Sequence, residues 1–422
     1  MNVVGIIAEY NPFHNGHLYH LDHAKKTCTA DYVICVMSGH FLQRGEPALF
    51  DKWSRAAMAV SAGADLVLEL PFAFACRSAG AFARGSVELL SATKLVTHLC
   101  FGSEADSIEQ LKDLASFLTQ EPPLYQQLIR KNLKLGLSYP SARSRAIQEY
   151  YVLTNLQNAD DIQAIIASPN NILGIEYLAA LHRIHSPITP TTIKRQHTNY
   201  HDQSLSGSIA SATAIRTEFE TKGLTEELER TMPDTTNKIA QQCFIQQLGP
   251  VFPNAFAMLI IAILRRAQPA ELSAIAEVTE GLEHKLKSSG NIATNLDDLL
   301  KLLKSKRFTR TRLQRMLIYI MLNFTKELAA EFDHAGPRYL RVLAISKQGQ
   351  NLLRILKETA ALPIIQRAAE FTASNYYNPT STLEKMLQLD IHATDLYALG
   401  SPVPRRGGLD YLTSVVRMSG SL

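Results

Sequence analysis

The first 120 residues alternate uninterrupted apolar runs with amphipathic stretches of helix length, and few architectures accept that rhythm. Runs at Asn2–Ala8, Tyr32–Met37, Asp65–Leu70 and Val96–Phe101 read as strands. Helical patterns separate them over Gly16–Cys28, Asp51–Ala62, near Phe74–Ala92 and over Ser107–Leu118. Strands that are apolar at every residue, not at alternate ones, are buried on both faces. The pattern therefore predicts an α/β fold, a Rossmann-like parallel sheet covered by helices on each side. Residues 122–165 look helical and lack a strand, so an insertion or cap is expected there, broken at Tyr139, Pro140 and Ser141. The sheet pattern returns at Thr189–Arg195, and a last helix begins near Ser211. After Gly223 no further strand is expected. A chain of 422 residues exceeds what one core usually organises, so the prediction is an α/β domain over 1–225 followed by an all-α domain over 226–422.

Composition narrows the class. With 46% hydrophobic and 19% charged residues the chain has the make-up of an ordinary globular protein. The five cysteines, Cys28, Cys35, Cys76, Cys100 and Cys243, form no CxxC pair, which argues against a disulfide framework or a cysteine zinc site and for a reducing compartment. No export signal is visible ahead of the first strand. The longest apolar run, Ala255–Leu264, has ten residues, half of the roughly 20 needed to cross a bilayer, and reads as a core helix. A cytoplasmic protein without a membrane partner is expected. The net charge of +4 is uneven: residues 1–225 carry 19 Lys and Arg against 20 Asp and Glu, and residues 226–422 carry 24 against 19, or −1 and +5. The second half is the electrostatic candidate for a polyanion.

The stretch EYNPFHNGHLYH, Glu9 to His20, lies where the first strand ends and the first helix begins. In an open parallel sheet ligands bind at such ends. His14 and His17 sit astride the helix start, so both imidazoles can address one anion at the positive end of the helix dipole. Gly16, without a Cβ, would let a phosphate approach the main chain. Two imidazoles and free backbone amides would stabilise charge on an α-phosphate and a departing pyrophosphate. The alternatives are an accidental surface run of His14, His17, His20 and His23, or a metal site. No HExxH or Cys/His companion accompanies them, so no metal site is expected.

A second element, Ser208–Arg216 (SIASATAIR), places hydroxyls at Ser208, Ser211 and Thr213 ahead of a helix bearing Arg216. Hydroxyls and open amides at a helix start bind phosphate, although a plain N-cap would explain one of them.

HNGH with SIASATAIR resembles the HxGH and ISSTxIR-type pair of adenylyltransferases and relatives of class I aminoacyl-tRNA synthetases. The strings GIIAEYNPFHNGH, GHFLQRGEPALFDKWSRA, DLVLELPF, SPNNILGIEYL and SIASATAIR resemble, more closely, the bacterial tRNA(Met) cytidine acetate ligase family, densely over residues 1–220. Ala210 and Ala212 depart from the second motif, standing where many adenylyltransferases carry hydroxyls. The resemblance implies ATP and acetate as substrates, magnesium accompanying ATP, and acetyl-adenylate as the intermediate. It also implies elongator tRNA(Met) as partner, acetylated on N4 of its wobble cytidine (C34). Carried over by position, His14 and His17 would be catalytic. ATP contacts would come from Ile7, Ala8, Glu9, Tyr10, Asn11, Pro12, Phe13, Asn15, Gly16, Leu18, Tyr19 and His20. Further ATP contacts would come from Gly102, Asn170, Asn171, Lys194, Arg195, Ser211, Thr213 and Arg216. Gly102 also reads as a turn glycine, and the Asn pair as a helix cap. The loop His40–Arg55 adds Gln43, Arg44, Glu46 and Asp51, and its Lys52 and Arg55 read either as cations facing triphosphate or RNA or as part of a capped, solvated helix end.

In the second half, Lys301–Arg315 (KLLKSKRFTRTRLQR) holds seven cations and no acid. Lys304, Lys306, Arg307, Arg310, Arg312 and Arg315 are expected to bind tRNA, with Phe308 and Tyr319 stacking on unpaired bases. Arg405 and Arg406, followed by Gly407 and Gly408, form a second basic patch. A small-molecule adenylyltransferase with a phosphopantetheine- or mononucleotide-type acceptor would need little beyond the first domain. A non-catalytic RNA-binding protein would have kept the nucleotide fold as scaffold.

Overall fold

A computed structural model describes residues 1–105, 107–154, 159–195, 209–372 and 378–418. Five strands run parallel: β1 (Val3–Ala8), β2 (Tyr32–Ser38), β3 (Leu66–Leu70), β4 (His98–Ser103) and β5 (Thr189–Lys194). Helices α1 (Asn15–Thr27), α2 (Lys52–Ser61), α3 (Phe72–Ala75) and α4 (Ala79–Ala92) connect the first four strands. Between β4 and β5 lie α5 (Ile108–Gln120), α6 (Pro123–Lys134), α7 (Tyr139–Leu153), α8 (Ala159–Ala167) and α9 (Pro169–Arg183). That is the strandless helical cap expected over 122–165, and α10 (Ala212–Lys222) is the last helix of the first half.

Strand residues alternate between two cores. Val4, Ile6, Val33, Cys35 and Met37 face one side, packing with Leu21 of α1, Ala56 of α2 and Phe219 of α10. Val3, Ile34, Val36, Leu66 and Leu68 face the other, with Phe82 and Val87 of α4 and Ile175 of α9. Burial on both faces is the reason the central strands β1 and β2 are apolar at successive positions.

The second half is helical through residue 335, including a core helix Ala257–Arg266 that overlaps the apolar run Ala255–Leu264. It then departs from the all-α expectation. β6 (Leu340–Ile345) joins the sheet antiparallel to β3, and β7 (Ile364–Ile365) and β8 (Val416–Arg417) both pair along its outer edge. The full order is β5-β4-β1-β2-β3-β6-β7. β6 enters because the edge of β3 must be covered, and its Arg341 is neutralised where it is buried. Arg341 and Lys52, both about 1% exposed or less, share Asp410, and Lys52 also pairs with Glu69 at 2.8 Å. Helices from both sides of position 225 share one core: Tyr319 of helix Arg310–Leu322 donates to Cys76 O (2.6 Å) and packs on Phe72. All five cysteines are free and buried. Among the described residues no helix is long and apolar enough to cross a membrane.

Candidate active site

The strand order reverses between β1 and β4, and the carboxyl ends of β1, β4 and β5 open into one cleft of about 420 Å³. This is the crevice in which open α/β sheets bind ligands, and its volume suits a small molecule. Ile7, Ala8, Glu9, Tyr10, Asn11, His14, Gly16, His17, Tyr19, His20, Gly102, Asn170, Lys194, Arg195, Ser211, Thr213 and Arg216 line it. Five expected ATP contacts do not. Pro12 sits in the turn and Phe13 is fully buried. Leu18 packs on the core, and Asn15 ties the turn to Thr231 O (2.9 Å) and Arg230 O (2.9 Å). Asn171 is 2% exposed and its Oδ1 accepts from Glu104 N and Ala105 N, pinning the loop after β4.

His14 is the N-cap of α1. Its Nδ1 accepts from Gly16 N at 3.1 Å, and His17 Nδ1 accepts from His14 N at 3.2 Å, a capping box made of two imidazoles. The rings stack with centroids 3.7 Å apart. A Cβ on residue 16 would fall 2.9 Å from His14 Cε1, so the missing side chain makes room for the imidazole. Because each Nδ1 accepts, the proton of each neutral ring sits on Nε2, a donor. Burial holds both rings neutral. It pushes His14 down to about 3, helped by Arg195 and Arg216, and pushes His17 well down, helped by His14 and Arg195. Burial and Arg195 lower His20 to about 4, and its buried Nε2 has no partner among the described residues. The main chain contributes nothing further at α1: Asn15 N binds Thr231 O, Gly16 N binds His14 Nδ1, and His17 N and Leu18 N bind His14 O. The free amides expected here are all taken.

α10 supplies what α1 lacks. Ser211 caps it, accepting from Ala214 N at 3.0 Å, while the amides of Ala212 and Thr213 have no partner among the described residues and open on the cleft. Arg216, one turn on, donates to Asn11 O (3.2 Å) and Thr213 Oγ1 (3.4 Å), which aims the guanidinium across the cleft. Ser208 lies outside the described residues. Across the cleft, Arg195 lies over Gly102, 3.4 Å from where a Cβ would stand, so Gly102 is a strand glycine beneath a cation and not a turn. Asn170 Nδ2 donates to Glu104 Oε1 at 2.5 Å. The site thus offers neutral N–H donors on one wall and amides with guanidinium groups on the other, a set suited to a polyphosphate.

The HIGH Nucleotidyl Transferase family signature matches residues 1–408. A tRNA(Met) cytidine acetate ligase of Thermoanaerobacter sp. (strain X514) is 42% identical over 99% of this chain and 100% of its own. One of Acetivibrio thermocellus is 41% identical over 99% and 100%. The crystal structure of Thermotoga maritima TmcAL bound with alpha-thio ATP superposes with a TM-score of 0.92 at 34% identity, covering 99% and 100%. This chain belongs to the tRNA(Met) cytidine acetate ligases, within the HIGH nucleotidyltransferase family. An ATP analogue was bound to the Thermotoga ligase, whose fold this member of the family shares along its whole length.

Two cations of the loop after β2 fit neither of the readings open from sequence, a triphosphate or RNA contact or a solvated helix end. Lys52 and Arg55 are both fully buried. Lys52 belongs to the ion network under β6. Arg55 donates to Phe50 O (2.9 Å), Glu9 O (2.6 Å), Ser38 O (3.1 Å) and Gly39 O. One guanidinium therefore fixes the ends of β1 and β2, a role with no sequence signature because its partners are carbonyls. The same loop brings Gln43, Arg44 and Glu46 into the cleft. Gln43 N donates to Glu9 Oε1 at 2.7 Å, and Gly45 sits so close to Arg315 N that a Cβ would lie 2.3 Å away.

The basic run is less free than its sequence implies. Arg307 pairs with Glu280, Arg310 with Asp297 (2.9 Å), Arg312 and Arg315 with Glu277 (3.7 and 3.1 Å). Lys304 Nζ donates to Phe308 O. Phe308 and Tyr319, expected to stack on bases, are core residues at 7% and 0% exposure. Arg405 pairs with Asp51 at 3.4 Å, and Lys306 and Arg406 are exposed.

Proposed function

We propose that this chain joins acetate to ATP and passes the acetyl group to N4 of the wobble cytidine (C34) of elongator tRNA(Met), forming N4-acetylcytidine. An acetate oxygen attacks the α-phosphorus, the bond to pyrophosphate breaks, and acetyl-adenylate results. The cytidine amine then attacks the acyl carbon, N4 loses a proton, and AMP leaves with the electron pair of the broken C–O bond. The observation that carries the reading is that His14 and His17, whose Nδ1 atoms accept from the main chain and leave Nε2–H as donor, line one cleft with Ala212 and Thr213, whose amides have no partner among the described residues. Charge builds on the α-phosphate in the first step, and preset donors stabilise it without reorganising. Lys194, Arg195 and Arg216 are the triphosphate cations. Magnesium enters as part of the substrate. Among the described residues no group of three or more His, Cys, Asp or Glu is placed to hold an ion of its own.

The tRNA lies against the basic second half, residues 226–422. Lys306 and Arg406 are open to phosphate, and an incoming backbone exchanges with Glu280 and Asp297 for Arg307 and Arg310. ATP and tRNA place the protein in the cytoplasm. Purified chain supplied with ATP, acetate and tRNA tests the reading. Pyrophosphate release that requires acetate, with one acetyl group gained on cytidine in the digested tRNA, is expected. Pyrophosphate release that ignores acetate and follows phosphopantetheine or a mononucleotide would identify a small-molecule adenylyltransferase. No release with retained RNA binding would identify a non-catalytic RNA-binding protein.

A further inference from the structure

Glu9 is a carboxylate in a cleft otherwise furnished for a polyanion, and no step described so far uses it. It follows β1 directly, five residues before His14, and lines the same cleft. Its position is fixed twice over: Arg55 holds its carbonyl at 2.6 Å, and Gln43 N donates to its Oε1 at 2.7 Å. Oε2 has no hydrogen-bond partner among the described residues. The other carboxylate among the described residues of the cleft, Glu46, is occupied by Arg216 (3.9 Å) and by Gln314 Nε2 (3.4 Å). A rigid carboxylate oxygen repels phosphate, so its partner must be a hydrogen-bond donor that carries no negative charge. The exocyclic amine of cytosine is such a donor, and carboxylates pair with it wherever cytosine is read by its edge.

We infer that Glu9 accepts a hydrogen bond from N4 of the target cytosine and takes its proton as the acetyl group is transferred. The step balances. The N4–C bond forms, the bond from the acyl carbon to the AMP oxygen breaks with its electron pair leaving on AMP, and the N4 proton moves to Glu9 Oε2. Glu9 lines the same cleft as His14 and His17, and in acetyl-adenylate the acyl carbon is separated from the α-phosphorus by a single bridging oxygen. Burial raises the Glu9 carboxyl above its ordinary value, opposed by Arg44 and Arg216. When those guanidinium groups engage phosphate their pull on Glu9 weakens, which strengthens the base at the moment it is needed.

The inference rests on the acetyl-transfer reading, and the test separates the two. Full-length wild type and Glu9→Gln are assayed for acetate-dependent pyrophosphate release and, in single turnover from preformed acetyl-adenylate, for acetylation of tRNA. Glu9→Gln keeps the acceptor for Gln43 N. It should slow transfer about 10²–10⁴-fold, far more than it slows activation, and should remove the acid limb of the transfer pH profile. Glu9→Asp, which keeps the charge on a shorter arm, should give an intermediate transfer rate with that limb retained, and it serves if Glu9→Gln does not fold. Equal losses in both steps with a raised KM for ATP would make Glu9 a nucleotide ligand and overturn the inference. So would unchanged transfer with an unchanged pH profile. Wild type that activates acetate but leaves tRNA unmodified would bring down the transfer reading and this inference with it.

Discussion

Two helices begin at the cleft, and they meet an anion in different ways. At α1 every first-turn amide is already bonded, and the ligand is offered imidazole Nε2–H groups. At α10 the side-chain cap is one serine, and the ligand is offered the main chain itself. The difference is chemical. Imidazoles held in one tautomer by backbone N–H groups project away from the helix and can follow charge that develops at the α-phosphate. Open amides are fixed to the helix axis and suit charge that is present throughout. The HxGH wall is therefore expected to act on rate, and the SIASATAIR wall on nucleotide affinity.

The largest effect should come from removing an α1 donor. His17→Ala should lower acetate-dependent pyrophosphate release about 10²–10³-fold, the range seen when one preorganised donor is deleted, with little change in KM for ATP. His14→Asn should be as inactive as His14→Ala, yet the asparagine still caps α1. Only the alanine variant should lose about 1 kcal/mol in urea denaturation. An active His14→Asn would show that capping is all His14 does. Next in size is Ala212→Pro. Proline is tolerated at the first helical position, and Ser211 (φ −70°, ψ 146°) already has the conformation a residue before proline needs. The helix should stay as stable while one open amide is lost. ATP affinity should fall about 10-fold, the worth of a hydrogen bond to a charged group, with kcat nearly unchanged. If kcat falls instead, the division of labour between the walls is wrong.

The walls also differ in their response to acid. Amides do not titrate, but the α1 histidines are held far below their ordinary 6.5, at about 3 for His14 and about 4 for His20. Below pH 6.5 the unfolded chain binds protons that the native chain refuses. Stability therefore rises with pH up to that point and is lost progressively as pH falls from 6.5 towards 4. Urea midpoints measured at pH 7.5 and 5.0 should show the drop, and His20→Gln should flatten it. The smallest effect belongs to the surface. Arg307→Ala should cost no more than about 1 kcal/mol of stability while weakening tRNA binding with a reduced salt slope. Unaltered tRNA binding would remove Arg307 from the contact surface.

The nucleotide end of the fold was legible because two periodicities and one turn motif agreed. Continuous apolar strands, amphipathic helices and HNGH all converge on the same strand-to-helix turn. β6 was not legible for a physical reason. Leu340–Ile345 is a short apolar run interrupted by Arg341, and nothing local separates such a run from a buried helix turn. Its charge is answered by Asp410, 69 residues away, which no local pattern reveals. Arg55 was hidden likewise, since its partners are carbonyls. The basic run concealed its neighbours: its own fifteen residues hold no acid, but Glu277, Glu280 and Asp297 fold against it. Gly16 was rightly singled out for closeness, though what comes close is His14.

The central claim is that His14 and His17 stand as neutral rings with Nδ1 accepting from the backbone and Nε2–H directed at phosphate. Long-range ¹⁵N–¹H correlation spectra of the histidine side chains at pH 7, with and without a non-hydrolysable ATP analogue, read this directly. Both residues should show the neutral Nε2–H tautomer, and both Nε2–H signals should move when the nucleotide binds. An imidazolium or an Nδ1–H tautomer at either residue in the free protein, or signals indifferent to the nucleotide, would contradict the account.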